Sequence, residues 1–318
     1  MFVGRKAHCC APARTESNNR SMADTIQPRS KNRSTKGMIL IPGDEFLMGT
    51  QDGEGYHSDG EGPVRRVRLD SYYIDVCAVT NTQFAQFVKS TSYKTEAETF
   101  GWSFVFHSLV PARVAGSVNK AVFETPWWWQ VFGACWRRPE GPNTNVVKRP
   151  NHPVVHVSWN DAVAYCQWAG KRLATEAEWE YAARGGLVQM RYPWGDELTP
   201  GDLHRCNIWQ GQFPNNNTGE DGYIGMAPAR SFPPTDFGLY NMSGNVWEWC
   251  SDWFCATNQS TDLQENPTGP ATGTARSMRG GSYLCHSSYC NRYRVASRSS
   301  NTPDSSTGNL GFRCVRDA

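Results

Sequence analysis

Two cysteine pairs share the spacing C-x4-C: Cys250/Cys255 and Cys285/Cys290. Thiols this close along a chain can form a disulfide, hold a soft metal ion or act as nucleophiles. Spacing does not rank the pairs, but their neighbours do. Cys250 and Cys255 lie in Trp247-Glu248-Trp249-Cys250-Ser251-Asp252-Trp253-Phe254-Cys255. Aromatic burial and nearby acids raise a thiol's pKa there and make both inert. Cys285 and Cys290 lie among His286, Arg292 and Arg294, cations that favour thiolate. The second pair is therefore the expected reactive site, although a local disulfide or two core thiols stay equally open on the residues alone. No C-x2-C or H-x3-H set nearby completes a tetrahedral zinc site, whereas two thiolates suit Cu(I), which is content with few ligands.

A second set is rich in oxygen. Asn207-Ile208-Trp209 precedes Asn217-Thr218-Gly219-Glu220-Asp221-Gly222-Tyr223, and Asn241-Met242-Ser243-Gly244-Asn245-Val246-Trp247-Glu248 follows. Amide, carboxylate and main-chain oxygens on glycine-rich loops are what Ca²⁺ needs; ordinary Asx turns are the competing account. The acidic, glycine-rich segment 52–62 lacks EF-hand ligand spacing and reads as a solvated loop. The seven histidines are scattered and suggest no His/carboxylate iron site. Nucleophile-elbow, phosphate-loop, dinucleotide and H-E-x-x-H patterns are absent from the sequence.

The elements that must position these residues are few. Thr80-Asn81-Thr82-Gln83 and Thr175-Glu176-Ala177-Glu178 are capping boxes. The first opens a helix with Phe84, Phe87 and Val88 on one face; the second opens a helix that runs through Arg184 to Gly185. Ser158-Trp159-Asn160-Asp161 caps a third, running to Gly170 with Val163, Cys166 and Ala169 inward. Strands are expected at 37–42, at 46–49 as its hairpin partner, across 64–74 and at 154–157. Residues 96–150 are aromatic and poorly periodic, and Trp127-Trp128-Trp129 reads as a folded-over core segment in preference to an exposed sugar- or peptide-binding run. From 187 onward the sequence reads as turns, short strands and loops.

Thirteen Trp, 29 Gly and 19 Pro suggest an aromatic core with much of the backbone in loops. The 318 residues carry 32 basic and 30 acidic side chains, so neither nucleic acid nor a membrane surface is implied as partner. No apolar run approaches the roughly 18–20 residues of a membrane span. The basic start has no apolar segment behind it, so no secretory signal is expected and a cytoplasmic setting follows; Met22 and Met38 are alternative starts. Residues 1–36 are polar, basic and aperiodic, an expected disordered tail in which Cys9-Cys10 reads as incidental. Residues 37–318 make one α+β domain.

The chain resembles the sulfatase-modifying-factor family, that of formylglycine-generating enzymes, over about residues 37–318. Segments shared with the wider superfamily are Gly37-Met38-Ile39-Leu40-Ile41-Pro42-Gly43, Arg172-Leu173-Ala174-Thr175-Glu176-Ala177-Glu178-Trp179-Glu180, Gly244-Asn245-Val246-Trp247-Glu248-Trp249 and Arg279-Gly280-Gly281-Ser282. The catalytic branch is marked by Gly281-Ser282-Tyr283-Leu284-Cys285-His286-Ser287-Ser288-Tyr289-Cys290 with Arg298-Ser299-Ser300-Asn301-Thr302-Pro303-Asp304-Ser305-Ser306. The resemblance implies a C-type-lectin-like fold with little regular secondary structure. It implies a copper oxidase that uses O₂ and a thiol reductant to convert the cysteine of a sulfatase C-x-P-x-R motif into formylglycine, acting as a monomer. By the same resemblance Cys285 and Cys290 hold Cu(I), and Ser282 and Trp247 line the oxygen pocket. His286, Tyr289 and Arg298 serve the substrate groove. Structural Ca²⁺ would be held by Asn207, Ile208, Asp221 and Tyr223, and by Asn241, Gly244, Val246 and Glu248. Of two disulfides in secretory-pathway members, one has Ala183 and Val295 at its positions here, and the other would join Cys166 and Cys314. A non-catalytic peptide- or sugar-binding member of the fold is the alternative.

Overall fold

The computed structural model describes residues 10–14, 34–118, 120–257 and 262–318. Helices α1 (Asn81–Thr91), α2 (Glu96–Phe100), α4 (Trp159–Ala169) and α5 (Glu176–Arg184) each open on a reciprocal cap, from Thr80, Thr95, Ser158 and Thr175; α3 (Ala112–Ala115) is a single turn after Pro111. In each cap a hydroxyl accepts an orphan N–H three residues on, and that residue's side chain accepts in return. Thr95-x-x-Glu98 is the same signature inside the stretch read as irregular. α1 buries Phe84, Phe87 and Val88 as expected. α4 is rotated from the expected face: Ala162, Tyr165 and Cys166 are buried, whereas Val163 and Ala169 are half-buried. Turning the Tyr165 and Trp168 rings inward removes more apolar area from water than burying Val163 would.

Two four-stranded sheets carry the molecule. One runs Met38–Ile41, Tyr72–Asp75, Cys314–Asp317, Arg172–Leu173; the other runs Arg298–Asn301, Arg276–Arg279, Trp247–Trp253, Leu310–Gly311. Glu45–Met48 is a strand but not the hairpin partner of Met38–Ile41; it pairs antiparallel with Arg65–Arg68. The expected strand across 64–74 is two strands in different sheets, Arg65–Arg68 and Tyr72–Asp75. Segment 154–157 is buried chain with no ladder of its own, joined by a single bridge between Thr80 and Pro153. Trp127-Trp128-Trp129 lies in the strand Thr125–Phe132, which pairs with Trp102–Phe106. Trp128 is fully buried and its two neighbours half-buried, so the run is a sheet face as well as core.

The segment expected to be a solvated loop is so only at first. Asp52 to Glu54 are exposed, but Asp59 and Glu61 are buried as partners of Arg292 and Arg294. Of the tail expected over 1–36, residues 1–9 and 15–33 lie outside the described residues, while Cys10 to Arg14 are packed against the domain. Ala183 and Val295 sit in one apolar cluster. The ten described cysteines are thiols; Cys166 and Cys314 are buried with their sulfurs 3.4 Å apart. No helix of the described residues is long and apolar enough to cross a membrane.

Candidate active site

The site is built on the loop after the strand Arg276–Arg279. At Gly281 the backbone takes φ +74°, and a Cβ there would meet the Arg292 carbonyl at 2.6 Å, so the loop closes on itself only with glycine. The His286 carbonyl then accepts from the amides of Tyr289, Cys290 and Asn291 at 2.9, 2.9 and 3.2 Å. This single tight turn brings Cys285 and Cys290 together at one end of the main aromatic core, each 1 % exposed. Ser282 N–H points at Cys285 Sγ from 3.4 Å, and the Cys285 carbonyl accepts from Trp209 N–H at 3.0 Å.

A third sulfur joins them. Cys10, Cys285 and Cys290 are the one group of three or more metal-ligating side chains among the described residues, with all Sγ atoms within 4.8 Å of one another and all buried. Burial pushes the Cys285 thiol well above its ordinary value, and the hydrogen bond with Cys10 adds to the rise; the one with Cys290 opposes it. The expectation that nearby cations favour thiolate here is corrected for two of the three. Arg294 is spent on Glu61, at 2.6 and 2.8 Å, and the His286 ring on Ser288 Oγ at 2.7 Å. Arg292, bound to Asp59, alone of the three reaches a thiol: its guanidinium donates to Cys10 Sγ at 3.4 Å.

Around the sulfurs lies a cavity of about 10 Å³, at the lower limit for one water-sized guest, lined by Trp127, Phe213, Ser282, Leu284 and Tyr289 among others. Tyr289 stacks on Phe213 at 4.5 Å and meets Trp127 edge-on at 4.9 Å, forming an aromatic wall. Ser282 Oγ accepts from Asn309 Nδ2 at 2.9 Å. Trp247 is buried in the same core as the thiols but does not line the cavity around them, and its indole N–H has no partner among the described residues. The structure thus brings together Cys285, Cys290, Ser282, Tyr289 and, through the shared core, Trp247. His286 is adjacent in sequence but turned to Ser288. Arg298 is placed elsewhere: it grips Glu176 at 2.8 and 2.5 Å and donates to the carbonyls of Asp59, Gly60 and Cys255.

Cys10 continues into a docked segment, Cys10-Ala11-Pro12-Ala13-Arg14. Asn309 Nδ2 donates to the Cys10 carbonyl at 2.9 Å, and Asn301 Nδ2 donates to the carbonyls of Ala11 and Pro12 at 3.1 and 3.2 Å. The Arg14 amide donates to Ser305 Oγ at 2.8 Å. The Arg14 guanidinium donates to the Trp102 carbonyl and Ser306 Oγ at 2.8 and 3.1 Å and lies 3.9 Å from the Trp102 ring centroid. Asn301, Asn309, Trp127 and Phe213 are groove residues that sequence reasoning missed. Asn301 lies inside the branch-specific stretch, and Trp127 inside the Trp run, so for those two a signal existed.

The oxygen-rich loops also meet. Asp221 accepts from the amides of Ile208 and Tyr223 at 3.0 and 2.9 Å, and burial holds its carboxyl above the ordinary value. The Asn207 side chain donates to the Gly225 carbonyl and to Asn245 Oδ1. Gly244 approaches the Asn207 carbonyl so closely that a Cβ would lie 2.3 Å from it. Asn241 Oδ1 is buried with no hydrogen-bond partner among the described residues. Glu248 accepts from Arg313 at 2.6 and 2.8 Å and from Trp179 at 2.8 Å. The other thiol pair divides: burial pushes Cys250 well up, as expected, but the Cys255 thiol is lowered by hydrogen bonds to Thr257 and is not buried, against the expectation that both are inert.

Comparison with known proteins gives the family. The model of the sulfatase-modifying factor enzyme 1-like domain matches residues 22–318. The chain is 62 % identical to the formylglycine-generating enzyme of Streptomyces coelicolor over 291 residues, covering 92 % of each. It is 56 % identical to that of Bos taurus over 280 residues, covering 88 % of this chain and 74 % of the relative. It is also 45 % identical to the inactive Cα-formylglycine-generating enzyme 2 of Bos taurus, covering 90 % of each. Among solved structures, PvdO of Pseudomonas aeruginosa shares the fold, with a TM-score of 0.63 at 23 % identity over 88 % of this chain and 94 % of that one. The chain belongs to the sulfatase-modifying-factor family.

Proposed function

We propose that the protein is a formylglycine-generating oxidase that activates sulfatases by converting the cysteine of a C-x-P-x-R motif. The observation that carries this is the buried thiol pair Cys285/Cys290, folded by one turn to face a third thiol at the end of a peptide groove. Family membership alone does not carry it, since a relative 45 % identical is named inactive. The donor set fits Cu(I): soft sulfur ligands, few of them, in an apolar enclosure. Cys285 and Cys290 would hold Cu(I), which when bound would supply the redox chemistry for reducing O₂.

The chain's own residues do the rest. The Tyr289, Trp127 and Phe213 wall keeps water from the sulfurs. Asn301 and Asn309 hold the main chain of a docked segment, so the reacting thiol arrives at high effective concentration. Ser282, fixed by Asn309, borders the sulfurs where a small polar guest would sit, and Trp247 would serve the same pocket from the shared core, its indole N–H unpaired among the described residues. The test is incubation with Cu(I), O₂, a small-molecule thiol and a C-x-P-x-R peptide, read by mass spectrometry. Formylglycine is expected; bound copper with no mass change would favour the non-catalytic peptide-binding reading.

Structural Ca²⁺ belongs to the same proposal. Asn241, the main-chain oxygens of Gly244 and Val246, and Glu248 would hold one ion, and the orphaned Asn241 oxygen supports this set. Asn207, Ile208, Asp221 and Tyr223 would hold the other. Chelator is expected to lower the Tm by several degrees, restored by Ca²⁺ but not by Mg²⁺; an unchanged Tm would remove the ions. A reducing, cytoplasmic setting is proposed as well, in which the buried neighbours Cys166 and Cys314 would stay thiols.

A further inference from the structure

The docked segment reads Cys10-Ala11-Pro12-Ala13-Arg14, which is itself a C-x-P-x-R sequence. We infer that this segment is an internal substrate: the protein converts its own Cys10 to formylglycine in cis. The inference rests on the proposed oxidase activity and goes further by naming a substrate within the chain.

Three observations carry it. The Cys10 sulfur lies with those of Cys285 and Cys290 inside 4.8 Å, so the thiol is delivered to the reactive pair and not merely near it. Both ends of the motif are anchored. Cys10 is 5 % exposed, with Arg292 donating to its sulfur; Arg14 is 5 % exposed, with its guanidinium over the Trp102 and Phe100 rings. Between the anchors, Asn309 and Asn301 hold the carbonyls of Cys10, Ala11 and Pro12, and Ser305 takes the Arg14 amide. These contacts engage main chain, so the groove would accept other side chains at the two variable positions. Residues 15–33 tether the segment to the domain, and 19 residues reach up to about 60 Å, ample for docking in cis.

The step balances as follows. The Cys10 β-carbon is oxidised by two electrons; its C–S bond breaks, a C=O bond forms, and sulfur leaves as hydrogen sulfide. O₂ takes four electrons, two from Cys10 and two from a pair of small-molecule thiols that become a disulfide. One oxygen atom ends in the aldehyde and the other in water.

The experiment uses the full chain with Cu(I), O₂ and a small-molecule thiol, followed by tryptic digestion and fragmentation of the peptide 7–14. Formylglycine is expected at residue 10, with a first-order rate constant unchanged by about hundredfold dilution, as a tethered substrate requires. Arg14→Ala should slow conversion about tenfold or more, and Cys285→Ser should abolish it. A parallel reaction offers a separate C-x-P-x-R peptide to the Cys10→Ser chain. If that peptide is converted and Cys10 of the parent chain stays a thiol, the internal substrate is overturned while the oxidase reading stands. If neither is converted, both fall. A rate that grows with protein concentration overturns reaction in cis.

A second readout needs no turnover. In metal-free protein, a labelled Ser-Ala-Pro-Ala-Arg peptide competes with the tethered segment for the groove. Its apparent Kd should fall about tenfold or more in Arg14→Ala, because the tether acts at an effective concentration of order millimolar. Equal Kd values in the two proteins would show that the segment does not occupy the groove.

Discussion

Cys250/Cys255 and Cys285/Cys290 have the same spacing and opposite outcomes. Cys250 sits in the strand Trp247–Trp253, and Cys255 follows it. Five residues of extended chain span about 16 Å, which carries the two sulfurs to different surroundings: one in the core, the other beside Thr257 at the rim of a cavity with Arg298 and Glu176. Cys285 and Cys290 bracket a turn in which one carbonyl collects three amides, and the same five residues fold back. Backbone path, not local charge, makes a dithiol. Burial raises both Cys250 and Cys285, so thiol acidity does not separate the pairs.

The largest effect should come from the sulfurs themselves. Cys285→Ser or Cys290→Ser should lower peptide conversion at least about a thousandfold. Cys250→Ser should keep the turnover of folded protein and cost about 1–3 kcal/mol of stability by urea titration, since a hydroxyl is buried in place of a thiol. Full activity in Cys285→Ser would erase the distinction between the pairs.

Next in size is the ion pair that ties the two regions together. Arg298 clamps Glu176 and also holds the carbonyls of Cys255, Asp59 and Gly60, while Asp59 holds Arg292 beside Cys10. Glu176→Gln should cost about 3–5 kcal/mol, because buried guanidinium loses its counter-charge. Burial would raise the Glu176 carboxyl, but Arg298, Arg279 and Arg65 outweigh it and hold it at about 2. Its stabilisation is therefore present above the ordinary carboxylate pKa and lost as pH falls from about 4.5 toward 2. Denaturant midpoints across that range should decline in the parent and flatten in Glu176→Gln.

His156 supports the Arg14 end of the groove through Ser103, which bonds Ser306: one ring nitrogen meets Ser103 Oγ and the other the Pro139 carbonyl, both at 2.8 Å. Burial, foremost, lowers its pKa from 6.5 to about 4. The unfolded chain then binds a proton that the folded chain refuses, so stability is lost as pH falls from 6.5 to 4, by about 3 kcal/mol. His156→Gln should remove that slope. Smaller again, Trp127→Ala opens the wall on Tyr289 and should raise the peptide KM about tenfold with kcat little changed. Smallest, Cys255→Ala should shift stability by less than about 0.5 kcal/mol, although Cys255 should be alkylated well before Cys250 at neutral pH.

The caps and the dithiol were legible because both are local chemistry. Thr80, Ser158 and Thr175 act within four residues of themselves, and the branch-specific stretch lies within one loop and its neighbour. What failed was pairing at long range. Glu45–Met48 chose Arg65–Arg68 over its nearer neighbour, and Asp59 and Glu61 left solvent for arginines more than 230 residues away. The Cys10 segment was read from its polar, aperiodic surroundings, where composition argues for disorder. The mark it does carry is the order Cys10-x-Pro12-x-Arg14, which composition does not register.

The sheet order carries a consequence for biosynthesis. Cys314–Asp317 lies between Tyr72–Asp75 and Arg172–Leu173, and Leu310–Gly311 completes the sheet of Trp247–Trp253. The strands at 310–311 and 314–317 thus follow every strand they pair with, and serve as interior members or closing partners of sheets begun long before. One sheet is complete only once translation has passed residue 317 and the other only past residue 311, so the earlier strands must wait with unpaired edges. Cells making this protein are expected to need a chaperone during that interval, and pulse-labelled nascent chains should resist protease only once residues 310–317 have left the ribosome.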